Sequence, residues 1–175
     1  MTSTEIASAL ARTERVLNHR PSVAVQPDAP CSARWMGGAR VVACDPGGRE
    51  VATDVPAALG GENTDVSPGW LVRAGIANCL ATCIVLLAAK ARIELDRLEV
   101  DVASRSDARG ILGIAGEDGA PVWPGPRDLE MTVRIASRAA SAEQLRGLVD
   151  AARAVSPVQA TIEQATPIGI RVEAG

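Results

Sequence analysis

Apolar positions change their period several times along this chain, and each change marks an element. Residues 4–19 place Ile6, Leu10 and Leu17 on one helical stripe, and Thr2-x-x-Glu5 has capping-box spacing, so an N-terminal helix is predicted. The Pro-rich segment Pro21–Pro30 interrupts it. From Ser32 the rhythm changes. "SARWMGGARVVACD" reads as two short strands around Gly37-Gly38, "DPGG" as a turn, and "REVATDV" as a further strand. The glycine- and acid-rich "ALGGENTDV" follows as a loop.

Ser67-Pro68 opens a central helix predicted to run to about Arg92, with Ser as the cap and Pro where a missing N–H is harmless. This helix is apolar on most faces, which predicts burial on several sides. "LEVDVAS" and "DLEMTVRIAS" then alternate with period two: Leu98, Val100 and Val102 share a face, as do Leu129, Met131, Val133 and Ile135. Residues 105–127 between them are rich in Gly, Pro and Asp and read as loop and short strand. Ser141-x-x-Gln144 caps another helix, with Leu145, Leu148, Val149 and Ala152 inward. Ser156-Pro157 opens a shorter one, where the Ser oxygen is expected to accept from helix N–H groups. "PIGIRVEA" closes as a strand. The order implies an α+β domain at 32–175, preceded by a helical and Pro-rich extension at 1–31.

Composition narrows the function classes. With 175 residues at 47% hydrophobic, one domain can bury a core. A net charge of −3, with 17 arginines dispersed along the chain, gives no basic field for nucleic acid. Stacking on bases is also ill served by three Trp and no Phe or Tyr. The N-terminus lacks the basic and apolar regions of a secretory signal. The apolar run Ala74–Ala89 is 16 residues long and interrupted by Asn78, short of the roughly 20 that span a bilayer. No membrane partner is expected, and the four cysteines read as reduced thiols in a cytoplasm.

Candidate chemistry rests on those cysteines: Cys31, Cys44, Cys79 and Cys83. Their spacings, with 12, 34 and 3 intervening residues, lack the paired knuckles of a zinc site, so no metal or cofactor is expected. His19 reads as a solvated residue near the end of the first helix. "GILGIAGEDG" matches no phosphate-binding pattern and reads as a flexible hairpin. Trp70 reads as a packing residue. A buried cysteine is most often a small hydrophobe, which fits Cys83.

The order of these elements resembles the OsmC/Ohr family of osmotically inducible and organic-hydroperoxide redox proteins. The matching text is "ALGGENTDVSPGWLVRAGIANCLATCIVLLAAKARIELDRLEVDV" and "SAEQLRGLVDAARAVSPVQATI", and the resemblance covers about residues 32–174. It implies an intertwined homodimer with strand-rich layers around a buried central helix. It also implies a cysteine in that helix that attacks a peroxide, a second thiol in a "CP" dipeptide, an Arg from an early strand and a Glu opening the central helix. The attacking cysteine falls on Cys79 in "ANCL". The second thiol falls on Ser156 in "AVSPV", and the Glu on Gly69 in "SPGW". Arg40 and Arg34 are both candidates for the cation.

A free thiol, with a pKa near 8.5, is only a few per cent thiolate at neutral pH, so a cation is needed beside the nucleophile. Cys79 lies about eleven residues into its helix, beyond the reach of the helix dipole. A Cys79–Cys83 disulfide is unfavourable. Their Cβ atoms, at i and i+4, lie about 5–6 Å apart, where a disulfide wants about 3.5–4.5 Å. Cys44 is a looser second candidate. The expectation is a weakened, thiol-dependent hydroperoxide reductase working with an external thiol. The alternative is a non-catalytic member that binds a small apolar ligand in the remnant cleft.

Overall fold

The computed structural model describes residues 2–175, which divide into two compact units. One comprises residues 11–74 and 102–131; the other comprises residues up to Leu10, Gly75–Asp101 and Thr132–Gly175.

The first helix, α1 (Ser3–His19), starts as its spacing predicts: the Glu5 N–H donates to Thr2 Oγ1 at 3.2 Å and the Thr2 N–H to Glu5 Oε2 at 2.6 Å. In the first unit, β1 (Ser32–Trp35), β2 (Val41–Cys44) and β3 (Glu50–Thr53) form an antiparallel sheet in sequence order. Trp35 pairs with Val41 and Ser32 with Cys44, so the hairpin turns on Gly37 and Gly38. Their φ values of +103° and +55° explain the glycines. The central strand β2 buries Val42.

Helix α2 (Pro68–Ala91) begins in this unit, where the Trp70 N–H donates to Ser67 Oγ at 3.2 Å. Across residues 105–127 a short helix, α3 (Ala108–Ile111), interrupts the expected loop, because Asp107 caps it by accepting from the Arg109 N–H. An isolated bridge, Ala115↔Pro121, accounts for the hairpin read in "GILGIAGEDG".

In the second unit, α2 buries Ile76, Leu80, Ile84 and Ala88, one residue every fourth position, together with Ala89. Its other faces are half-buried or exposed within one chain, with Val85 open to solvent. The helix is long and apolar enough to cross a membrane by length and composition. Strands β4 (Arg97–Arg105) and β5 (Arg127–Ala136), each with residues in both units, pair with each other, and inner and outer positions alternate along β4 as the period-two pattern requires. Helix α4 (Ala142–Ala154) carries the predicted capping box and buries Leu145, Leu148 and Ala152. Helix α5 (Pro157–Glu163) follows.

The closing strand is a correction. Ile168, Ile170 and Val172 are 88, 86 and 80% exposed, and "PIGIRVEA" forms no strand. Alternation selects a face, but a strand also needs a neighbouring edge to take its N–H and C=O groups. Among the described residues, no strand does so.

Candidate functional site

Cys79 sits on α2 one residue before the buried Leu80, half-buried and without a disulfide partner. The Ser156 hydroxyl donates to Cys79 Sγ at 3.3 Å. These two residues, 77 apart in sequence, are thus brought into direct contact, with Ser156 only 1% exposed. Here the structure overturns a sequence expectation. Ser156 occupies the cap position before Pro157, yet its side chain accepts no hydrogen bond from the helix. Its backbone carbonyl makes the ordinary first helical bond, accepting from Ala160 N, while the hydroxyl points at sulfur. A donated O–H stabilises negative charge on the atom that accepts it.

Cys83, expected to be a packing residue, lies one turn further along α2 and is half-buried. Burial pushes its thiol above the ordinary range, and the charge of Cys79 and a hydrogen bond between the two sulfurs push it the same way. The Cys83 thiol donates to the Val155 carbonyl, with Sγ and O 3.8 Å apart. Ser156 is thus the hydrogen-bond donor that faces the Cys79 sulfur.

The two candidate arginines lie on either side of the Gly37-Gly38 turn in the other unit. Arg34, on β1, pairs with Glu50 across the sheet at 3.0 Å, and both side chains are more than half exposed. Arg40, just before β2, donates from Nε to Asp65 Oδ2 at 2.9 Å. Asp65 is only 26% exposed. It belongs to the glycine- and acid-rich loop that leads into α2.

That loop is built around the buried Asp54, whose carboxylate accepts from the N–H groups of Val55 (2.7 Å), Glu62 (2.9 Å) and Thr64 (3.2 Å). These donors, that of Val55 foremost, hold its carboxyl below the usual range. Gly61 is required there, because a Cβ would stand 1.9 Å from the Val55 carbonyl oxygen. Gly69, where the resemblance places a Glu, has open surroundings: a Cβ would meet Arg73 Nη1 at 3.8 Å and Ser67 Oγ at 4.0 Å.

The remaining candidates stand apart. Cys44 is half-buried at the end of β2 with its sulfur on the Asp45 carbonyl, and Cys31 is exposed. His19 is exposed at the end of α1, and Trp70 is 48% exposed rather than packed. Among the described residues, no group of three or more His, Cys, Asp or Glu side chains is placed to hold a metal ion. Two residues were invisible to sequence reasoning in their roles: Asp65, 25 positions from Arg40, and Ser156 as a donor rather than a cap.

The family model described as "OsmC-like protein" matches residues 61–171. Solved structures agree in fold. An OsmC-like protein from Mycoplasma pneumoniae matches with a TM-score of 0.65 at 16% identity, covering 79% of this chain and 89% of its own. An organic hydroperoxide resistance protein from Elizabethkingia anophelis gives 0.58 at 22% identity, covering 79% and 90%. The OsmC organic hydroperoxide resistance protein of Legionella pneumophila gives 0.56 at 20% identity, with the same coverage. No curated protein matches the sequence.

Proposed function

The chain belongs to the OsmC-like family, and on that premise we propose that it reduces organic hydroperoxides with Cys79 as the attacking sulfur. The observation that carries the reading is the contact between Cys79 and Ser156. It sets the helix cysteine against the residue that stands where the family's second thiol is expected, and that residue donates a proton to the sulfur. Two of the structures similar in fold are organic hydroperoxide resistance proteins, which supports the substrate class.

The thiolate of Cys79 attacks one oxygen of R–O–O–H. An S–O bond forms and the O–O bond breaks, sulfur loses two electrons, and the alkoxide leaves and takes up a proton as an alcohol. The product at Cys79 is a sulfenic acid. Ser156 cannot resolve it, since a hydroxyl forms no disulfide. An external thiol therefore condenses with the sulfenic acid and releases water, and a second thiol displaces Cys79 and leaves as the disulfide. Arg40 is assigned the cationic role and Arg34 the lesser claim, because the Asp65 that holds Arg40 is half-buried whereas the Glu50 that holds Arg34 is exposed. Cycling is slower than in a member with the second thiol.

The working unit is a homodimer in the cytoplasm, with residues 1–31 an extension to the domain at 32–175. Support for the dimer comes from the apolar surface one chain leaves open: Trp35, Trp70, Val72, Val85 and the C-terminal Ile168, Ile170 and Val172 are all exposed. A second reading, a non-catalytic member that binds a small apolar ligand, is favoured by the empty position at Gly69 and the hydroxyl at Ser156.

One experiment separates the two. Reduced protein is mixed with tert-butyl hydroperoxide, and oxygen addition is followed by intact mass, with and without Cys79→Ser. Fast oxidation confined to Cys79 is expected, and oxidation no faster than that of a free thiol leaves the ligand-binding reading. Sedimentation at micromolar concentration tests the dimer, and a monomer there refutes it.

A further inference from the structure

Cys79 and Cys83 lie one turn apart on α2, and their sulfurs meet polar atoms at the same place. The Ser156 hydroxyl donates to Cys79 Sγ at 3.3 Å, and the Cys83 thiol donates to the Val155 carbonyl at 3.8 Å. Val155 and Ser156 are neighbours in the chain, at the end of α4 and the start of α5. Both sulfurs are therefore aimed at one turn, and all four residues belong to the same compact unit. We infer that Cys79 and Cys83 form a two-sulfur site for a soft monovalent cation, Cu(I), beside the Val155-Ser156 turn.

The bland alternative is a pair of packing cysteines, since a free Cys behaves most often as a small hydrophobe. A packing pair turns its sulfurs toward apolar neighbours, whereas here each meets a hydroxyl or a carbonyl. Both residues are half-buried, so an ion from solvent can reach them. The helix spacing then selects what the pair can hold. Cβ atoms at i and i+4 lie about 5–6 Å apart, too far for a disulfide, which wants about 3.5–4.5 Å. A bridging ion removes that mismatch. With metal–thiolate bonds of about 2.3 Å, the two sulfurs on one ion stand up to roughly 4.6 Å apart.

The donor set fixes the class of ion. Among the described residues, no three His, Cys, Asp or Glu side chains gather as a ligand set. Tetrahedral zinc therefore lacks ligands here, and calcium or magnesium lacks carboxylates. Thiolates select Cu(I), a d10 ion that is satisfied by two of them. On binding, two S–H protons leave to solvent and two Cu–S bonds form. No electron is transferred, and the complex carries one negative charge. The Ser156 hydroxyl, already donating to Cys79 Sγ, offsets part of that charge. This site goes beyond the peroxide chemistry but shares Cys79 with it, so bound Cu(I) withholds that sulfur from a peroxide.

The test titrates reduced full-length protein with Cu(I) anaerobically, in competition with bathocuproine disulfonate, and weighs the product by native mass spectrometry. One Cu(I) per chain is expected, with the loss of two protons. One equivalent is expected to shield Cys79 and Cys83 from iodoacetamide while Cys31 and Cys44 are alkylated, as read by peptide mass in the wild-type protein. Cys79→Ser and Cys83→Ser should each lower the affinity at least about a hundredfold, more than the loss of a hydrogen bond to a ligand costs. Cys31→Ser combined with Cys44→Ser should leave it unchanged.

An affinity unchanged in Cys83→Ser overturns the inference. So does shielding of Cys31 or Cys44 in place of the helix pair, or a wild type that retains no Cu(I) against the competitor. No peroxide enters these measurements, so a failure here leaves the peroxide reading to its own test.

Discussion

Replacing Ser156 by Ala removes one oxygen and changes little else, so the consequence can be worked from the contact itself. The hydroxyl is 1% exposed and donates to Cys79 Sγ at 3.3 Å. A hydrogen bond to a charged acceptor contributes about 1.5–3 kcal/mol, and one to a neutral acceptor about 0.5–1.5 kcal/mol. Only the difference favours the reactive thiolate over the thiol, and that difference is about 1–1.5 kcal/mol. At about 1.4 kcal/mol for each factor of ten, Ser156→Ala should slow Cys79 oxidation by roughly five- to tenfold.

The loss is partial because only one hydrogen bond to the sulfur is removed. The assay is stopped-flow oxidation by tert-butyl hydroperoxide under pseudo-first-order conditions, with Ser156→Thr as the variant that keeps the hydroxyl. A Ser156→Ala rate within twofold of wild type, or an equal loss in Ser156→Thr, would refute the reasoning. Ser156→Cys gives a complementary readout. A sulfur so close to Cys79 Sγ needs only about an ångström of movement to reach disulfide length. After one peroxide turnover its mass should show the loss of two hydrogens rather than the gain of an oxygen.

Other consequences concern the frame around the site. Ile84 is fully buried on the inner stripe of α2, so Ile84→Ala should cost about 2–5 kcal/mol, read by urea unfolding at fixed protein concentration. A shift under 1 kcal/mol, roughly, would place that helix face outside the core. Gly61→Ala drives a Cβ into the Val55 carbonyl and should dislodge the Asp54-centred loop, costing about 1–3 kcal/mol in urea unfolding. A variant as stable as wild type would contradict that close approach. Acid should weaken the fold through Asp107, whose carboxyl is lowered from 3.8 to about 2, first by its hydrogen bonds with the Arg109 guanidinium and then by the Arg109 N–H. Its contribution is complete above the ordinary value and is lost as pH falls from about 4 through about 2. Melting temperatures compared at pH 4 and pH 2.5 should fall less in Asp107→Asn than in wild type; equal falls would remove Asp107 from the account.

Much of this molecule is written in short-range pattern. The capping boxes at Thr2 and Ser141, the glycine turn between β1 and β2, the Ser67-Pro68 start of α2 and the alternation along β4 all depend on residues within a few positions of one another. Chain geometry and backbone hydrogen bonding decide such features before any tertiary contact forms. The place of Cys79 in the middle of the apolar helix was readable for the same reason.

What spacing could not decide are the contacts that cross the chain. Ser156 reads locally as a helix cap, and only the approach of α2 from 77 positions away turns its hydroxyl toward sulfur. Arg34 and Arg40 are equivalent candidates by sequence. They part company because one meets an exposed Glu50 and the other an Asp65 clamped by a buried carboxylate. The terminal segment makes the same point in reverse. Ile168, Ile170 and Val172 alternate as a strand should, but pairing needs a neighbour that no strand among the described residues provides. Periodicity and capping are properties of a segment, whereas a hydrogen bond between distant side chains is a property of the packed whole.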